Sequence, residues 1–145
     1  INNRFDNYKI LPQTMPPFPW HQGGRSYHNL ITNLERVRDI ISRVGNDICL
    51  DISHTALSCA YFKEDIKDHI EAIGSRIGHI HLSDAQGQNA EGLAIGNGIL
   101  DFEDIHKTIS KHKKETYLLP EIWQGHLNDG ESFATSIIRF NELID

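Results

Sequence analysis

An α/β fold of barrel type, with about four βα units in a single domain spanning residues 1–145, is what this sequence predicts. Three observations predict it. Four apolar runs alternate with four stretches of helical periodicity, the pattern of parallel strands joined by right-handed crossovers. Along each run the side chains divide into an aliphatic face and a face that turns polar toward the C-terminal end. A sheet covered by helices on both sides would be apolar on both faces, so a barrel wall with a polar mouth fits better. The polar residues at those ends lie in Asp51-Ile-Ser-His54, His79-Ile-His81-Leu-Ser-Asp84 and Leu119-Pro-Glu121. Carboxylates and imidazoles converging at the C-terminal ends of neighbouring strands are the usual setting for a divalent metal.

Each element has its own signal. The first strand candidate is 8–13, followed by a helix carrying Leu30, Leu34, Val37, Ile41 and Val44, with Gly45 as the residue that stops it. The second is 47–52, which places Cys49 in a strand and Cys59 in the loop region after it. Its helix carries Ile66, Ile70 and Ile73 and ends at Gly74. The third is 77–83, and the helix after it opens at Asp101, an expected N-cap, and carries Phe102, Ile105 and Ile109. The fourth is 116–122, with a helix after Asp129 carrying Phe133, Ile137, Phe140 and Ile144. Period-two alternation puts Cys49, Asp51, His79, His81, Tyr117, Leu119 and Glu121 on the polar face, opposite Leu50, Ile80, Leu82 and Leu118.

Composition sets outer limits. With 145 residues, 39% apolar and 23% charged, the chain can build one ordinary globular core. No apolar run approaches the roughly 18 residues that span a bilayer, and the polar N-terminus lacks a secretory pattern. Two cysteines without a framework spacing point to reduced thiols and a cytoplasmic location. A net charge of -6 argues against a nucleic-acid partner, because that binding rests on Lys and Arg contacts to phosphates. Of the nine histidines, His69, His106 and His112 fall within helical stretches and are expected to be solvated.

In order and spacing, the DxxH of Asp51 and His54, the HxHxxD of His79, His81 and Asp84, the Gly96-x-Gly98-x-x-Asp101 turn and the strand-borne Glu121 resemble one family. They are similar to the C-terminal half of the xylose-isomerase-like TIM barrels, and the resemblance runs from about Tyr8 to the end of the chain. That superfamily includes sugar and sugar-phosphate isomerases and epimerases, dehydratases, and apurinic endonucleases. The resemblance implies a divalent metal (Mn, Co, Mg, Fe or Zn) held by Asp51, His81 and Glu121, with Gln13 at a fourth position. It implies catalytic roles for Glu121 and His54, with His54 a second ligand or a substrate contact. Trp20 and Trp123 would meet a sugar, and His79 would line the barrel below. The expected chemistry is proton transfer in a sugar or sugar phosphate through a metal-stabilised enediolate.

Blander roles stay open. Asp51 could cap a turn, His54 could hydrogen-bond its loop, and Asp84 could orient a ligand histidine or begin a loop. The glycine-rich stretch 92–98 lacks a lysine and a GKS/T ending, so it is not a P-loop. Two departures from the family stand out. Gln13 occupies the place where the family carries a glutamate, and a neutral amide is a poorer ligand than a carboxylate. It also removes one of two bases, which favours a catalytically impaired sugar-binding or assembly domain as the alternative. The endonuclease branch fits less well, because Ala90-Glu91-Gly92 lacks the histidine of its Asp-x-His pair. The second departure is length, since an eight-fold barrel takes about 250 residues. The chain is therefore expected to need the other half barrel or self-association to cover its sheet edges.

Overall fold

Apolar faces at strand and helix spacing must be buried against one another. The computed structural model, which describes residues 8–18, 28–112 and 115–144, does so in two layers. The strands are β1 (Ile48–Asp51), β2 (Ile77–Leu82), β3 (Asp84–Gln86), β4 (Ala90–Leu93) and β5 (Tyr117–Pro120). β1, β2 and β5 form a parallel sheet in the order β1-β2-β5, while β3 and β4 pair as an antiparallel hairpin. The helices are α1 (Leu34–Arg43), α2 (Ile52–Phe62), α3 (Ile66–Ile73), α4 (Phe102–Ser110) and α5 (Glu131–Ile144). Leu50, Ile80 and Leu82 on one sheet face meet Val37, Ile70, Ile73, Phe102, Ile105 and Phe140 from α1, α3, α4 and α5 in one continuous core. Among the described residues no helix is long and apolar enough to cross a membrane.

The register fixes what the other face presents. Cys49, His79 and Tyr117 lie side by side in one row, and Asp51, His81 and Leu119 in the next, nearer the strands' C-terminal ends. Among the described residues no helix covers this face at β5, where Tyr117 is 78% and Leu119 48% exposed. This is the concave face of a partial barrel wall.

Several elements differ from the sequence expectation. The strand expected over 8–13 reduces to a parallel bridge between Gln13 and Cys49, held by Cys49 N–H to the Pro12 carbonyl (2.8 Å) and Thr14 N–H to the Cys49 carbonyl (3.0 Å). The other three strands form but end one or two residues early. Ile52 already starts α2, an eleven-residue helix where the sequence suggested a loop, so Cys59 is helical. Buried residues lie all around α2, including Ile52, Thr55, Leu57, Ser58 and Cys59, so it carries no polar stripe to betray it. The first helix starts at Leu34 with Asn33 as its cap, leaving Leu30 outside and exposed.

The helical histidines and the end of α1 differ as well. His69 is fully buried, not solvated. Its Nε2 lies 2.8 Å from Glu64 Oε2, the same oxygen that accepts the Leu34 N–H (2.9 Å) at the start of α1. His106 and His112 are half-buried, against Ser110 and Glu71. Cys49 and Cys59 are free thiols, both buried, and burial pushes the Cys59 thiol up to about 12. Gly45 does not stop α1 through a left-handed turn, since it is not among the residues at positive φ. The helix end is instead held by Arg76, whose guanidinium donates to the Ile41, Val44 and Asn46 carbonyls. Arg76→Ala leaves those carbonyls without a donor and should lower stability by about 2 kcal/mol. Arg76→Lys should recover only part, because an ammonium lacks the planar fork. Urea unfolding checks this, and an unchanged midpoint for Arg76→Ala would refute the capping role.

Candidate metal centre

Asp51 ends β1 and caps α2, and its two carboxylate oxygens do different work. Oδ1 accepts the His54 N–H (2.9 Å) and the Ser53 hydroxyl (3.2 Å), satisfying the first turn of α2. Oδ2 faces the concave side, where the Gln13 amide nitrogen donates to it at 2.9 Å and His54 Nδ1 lies 2.9 Å away. The capping role and the site role weighed from the sequence are therefore both filled by one residue, which is 1% exposed. Burial alone would raise its carboxyl. Hydrogen bonds involving His54 and His81 outweigh burial and hold it well below the usual carboxylate range.

His81, paired with Asp51 across the β1–β2 register, turns Nδ1 toward both acids, 2.6 Å from Glu121 Oε2 and 3.5 Å from Asp51 Oδ2. Contacts with Asp51, Cys49 and Glu121 push its imidazole up to about 12. Glu121 follows β5 and continues the ladder through its N–H to the Leu82 carbonyl (3.0 Å), so its position is set by backbone pairing. One ligand atom each from Asp51, His81 and Glu121 lies within 4.8 Å of the others. Six-coordinate cations hold oxygen and nitrogen ligands near 2.1 Å, so neighbouring donors stand about 3 Å apart. The 2.6 and 3.5 Å separations around His81 bracket that spacing, and the O/N donor set suits such an ion. Gln13 lies beside the triad, with its amide nitrogen also 3.3 Å from His81 Nδ1. Coordination by Gln13 requires the amide to turn its oxygen inward.

A cavity of about 640 Å³ opens beside Glu121, lined among others by Met15, Phe18, His54, Glu91, Glu121 and Trp123. His54 Nε2 reaches to 3.5 Å from Glu91 Oε2. Burial disfavours charge on His54, but Asp51, then Glu91 and Glu121, outweigh it and hold the ring above its ordinary value. The β3–β4 hairpin carries Glu91 and braces the opposite lip, with the Gly92 carbonyl accepting the Trp123 N–H at 2.7 Å. Gly92 sits at φ +66 with Trp123 N 3.2 Å from where a Cβ would stand, so both the turn and the close approach call for glycine.

Asp84 neither touches a ligand histidine nor merely begins a loop. Buried at 1% exposure, it accepts four backbone N–H groups: Ala85 and Leu100 on Oδ1, and Gly96 and Gly98 on Oδ2, at 2.8 to 3.2 Å. The Gly-x-Gly-x-x-Asp segment is thus a structural wrap around Asp84, closed by Asp101 as the N-cap of α4.

The structure brings together Asp51, His81, Glu121, Gln13, His54 and Trp123. Trp20 lies outside the described residues. His79 sits one row below the mouth, edge-on to His81 (5.1 Å between ring centroids), and does not line the cavity. Burial and His81 together lower its pKa. Sequence reasoning missed Glu91 as a site residue. Its signal was the Gly87-Gln-Asn turn between two short alternating runs, which marks the hairpin.

A parallel barrel wall with a histidine–carboxylate cluster at the C-terminal ends of its strands defines the class as an α/β barrel with its candidate site at the mouth. The chain belongs to the xylose isomerase-like TIM barrel family, whose model matches residues 4–142. It is 33% identical over 75 residues to the uncharacterised protein MJ1614 of Methanocaldococcus jannaschii, covering 51% of this chain and 28% of that protein. The crystal structure of a D-tagatose 3-epimerase-like protein superposes with a TM-score of 0.65 at 18% identity, covering 99% of this chain and 52% of that one. The chain thus spans about half of the structural relative and less of the curated one.

Proposed function

We propose that this chain is the metal-binding wall, the C-terminal half of the barrel, of a divalent-metal-dependent sugar or sugar-phosphate isomerase or epimerase. The observation that carries this reading is the convergence of Asp51, His81 and Glu121 within 4.8 Å, with Glu121 lining an open cavity. A divalent cation bound there supplies Lewis-acid polarisation of a carbonyl and its neighbouring hydroxyl. Asp51 and His81 hold their positions through the α2 cap and the strand register. Glu121, half-exposed on the cavity side, takes the proton from the carbon beside the carbonyl and returns it to the neighbouring carbon. Trp123 offers an indole face to the apolar side of a sugar ring, and His54 contacts a substrate hydroxyl from the α2 side. Tyr117 and Leu119 on the concave face support completion of the wall by further βα units or a second copy. Two buried free thiols suit a reducing cytoplasm.

Gln13, with its amide nitrogen toward Asp51, favours a second reading, a sugar-binding domain without turnover. Gln13→Glu separates the two. Adding a carboxylate beside the cation should tighten metal binding at least tenfold, which needs only about 1.4 kcal/mol, and should introduce solvent-hydrogen exchange into a small ketose. Calorimetry with Mn²⁺ reads the first and NMR in D₂O the second. Unchanged or weaker Mn²⁺ affinity would mean that position 13 does not face the ion.

A further inference from the structure

We infer that Gln124 is a specificity-determining residue whose side-chain amide hydrogen-bonds the hydroxyls at the end of a sugar chain that lies away from the triad. This rests on the reading of the cavity as a sugar site and deepens it, by assigning the residue that senses ligand length.

Among the described residues, four other than glycine have positive φ: Lys63, Gln124, Asn128 and Asp129. Three of them have a local reason. Lys63 is the left-handed cap of α2, and Asn128 and Asp129 are of the residue types whose short polar side chains tolerate this region. Gln124, at φ +57, has neither excuse. The Gly125 N–H donates to the Ile122 carbonyl (2.9 Å), so Gln124 is the third residue of a β-turn, where glycine or asparagine sits with least strain. The chain carries its glycine one position later instead, because a Cβ at 125 would stand 2.5 Å from Phe133 Cε1. A glutamine kept in the left-handed region points to a task for its side chain.

The cavity shows what that task is. Gln124 is exposed and lines the same space as Glu121 and Trp123. Its segment leaves the sheet in steps. Glu121 is still on the ladder through the Leu82 carbonyl, Trp123 is tied to the Gly92 carbonyl of the hairpin, and the turn reaches its tip at Gln124. Glu121 therefore stands at the triad, and Gln124 farther out along the same wall. The Leu127 N–H on the Gln124 carbonyl (3.0 Å) fixes the far side of the turn, so the side chain starts from a pinned backbone. Its amide offers a carbonyl acceptor and an NH₂ donor side by side. Neighbouring hydroxyls of a polyol offer the matching donor and acceptor. The amide is uncharged, so the preference it creates is for chain length and hydroxyl placement.

The test uses the Mg²⁺-saturated chain and two ketoses, followed by NMR titration. Dihydroxyacetone, with three carbons, is too short to reach from the triad to the turn, and D-fructose, with six, is not. The parent should bind D-fructose more tightly than dihydroxyacetone. Gln124→Gly should weaken D-fructose at least fivefold, the loss of one or two hydrogen bonds, and leave dihydroxyacetone and Mg²⁺ unchanged. It should also raise Tm by about 3 °C, because glycine enters the left-handed region freely. Gln124→Asn suits the same backbone with an amide one carbon shorter, and should weaken D-fructose alone without lowering Tm. Unchanged D-fructose affinity in both variants, or an equal loss of both ketoses, overturns the inference and leaves the isomerase reading standing. A lower Tm in both variants does the same, as does a parent with no preference for D-fructose. A parent that binds Mg²⁺ but neither ketose overturns the sugar site, and this inference with it.

Discussion

Gly98→Ala is expected to be among the most damaging single substitutions in this protein, although residue 98 touches neither the triad nor the cavity. A Cβ at that position would stand 2.3 Å from Asp84 Oδ1 and 2.4 Å from the Ala85 carbonyl oxygen. Neither neighbour can withdraw cheaply. The Asp84 carboxylate is fixed by four N–H donors, and the Ala85 carbonyl accepts the Ile99 N–H at 3.0 Å. Relief therefore means breaking charge-assisted hydrogen bonds in a buried loop, a cost of about 3 kcal/mol. At roughly 3 °C per kcal/mol for a chain of this size, Tm should fall by about 10 °C. Gly45→Ala, with nothing within 4 Å of its Cβ position, serves as the control and should change little. A thermal melt in which Gly98→Ala matches the parent would refute the wrap around Asp84.

The second large effect separates the two duties of Asp51. Asparagine is as good an N-cap as aspartate, so Asp51→Asn keeps the α2 cap while removing the charge that faces His81. Mn²⁺ affinity should fall at least 100-fold, about 2.7 kcal/mol, with the far-ultraviolet circular dichroism unchanged. The chelator-treated protein adds a pH signature. Asp51 has its carboxyl held below its ordinary 3.8, so its contribution to stability is present above pH 3.8 and is lost as pH falls further. His81 is raised from 6.5 to about 12, so its contribution is complete below pH 6.5 and is lost as pH rises toward 12. The cluster thus favours the metal-free fold most between pH 3.8 and 6.5. Urea midpoints of the parent should decline from pH 5 to pH 9, and those of Asp51→Asn should decline less, because His81 has lost its principal partner. Parallel curves for the two proteins would contradict this account.

What is legible in the sequence depends on the range of each interaction. Period-two alternation put Asp51, His81 and Glu121 on one face at the strand ends, because parity along a strand is a local property. The caps at Asp101 and Gly74 were legible for the same reason, since each acts within one turn of its own helix. The misses are long-range. Whether Gly45 or Arg76 ends α1 depends on a guanidinium more than thirty positions away. Burial of His69 depends on Glu64 being occupied at the start of α1. Helix α2 was invisible because burial on several sides erases the polar stripe by which amphipathic helices are read.

The sequence by itself determined the alternating α/β order, the aliphatic and polar faces of each strand, and the candidate ligands, since all three follow from backbone periodicity and side-chain chemistry. The tertiary structure decided what those residues do to one another. It set the strand register that brings His81 between Asp51 and Glu121, turned the Gln13 nitrogen toward Asp51, and folded the hairpin that delivers Glu91 to the cavity. It also assigned Asp84 to the glycine-rich loop rather than to a ligand. The physical reason is that distances between side chains on different elements depend on packing and strand pairing. Neither is encoded in the spacing of residues along one segment.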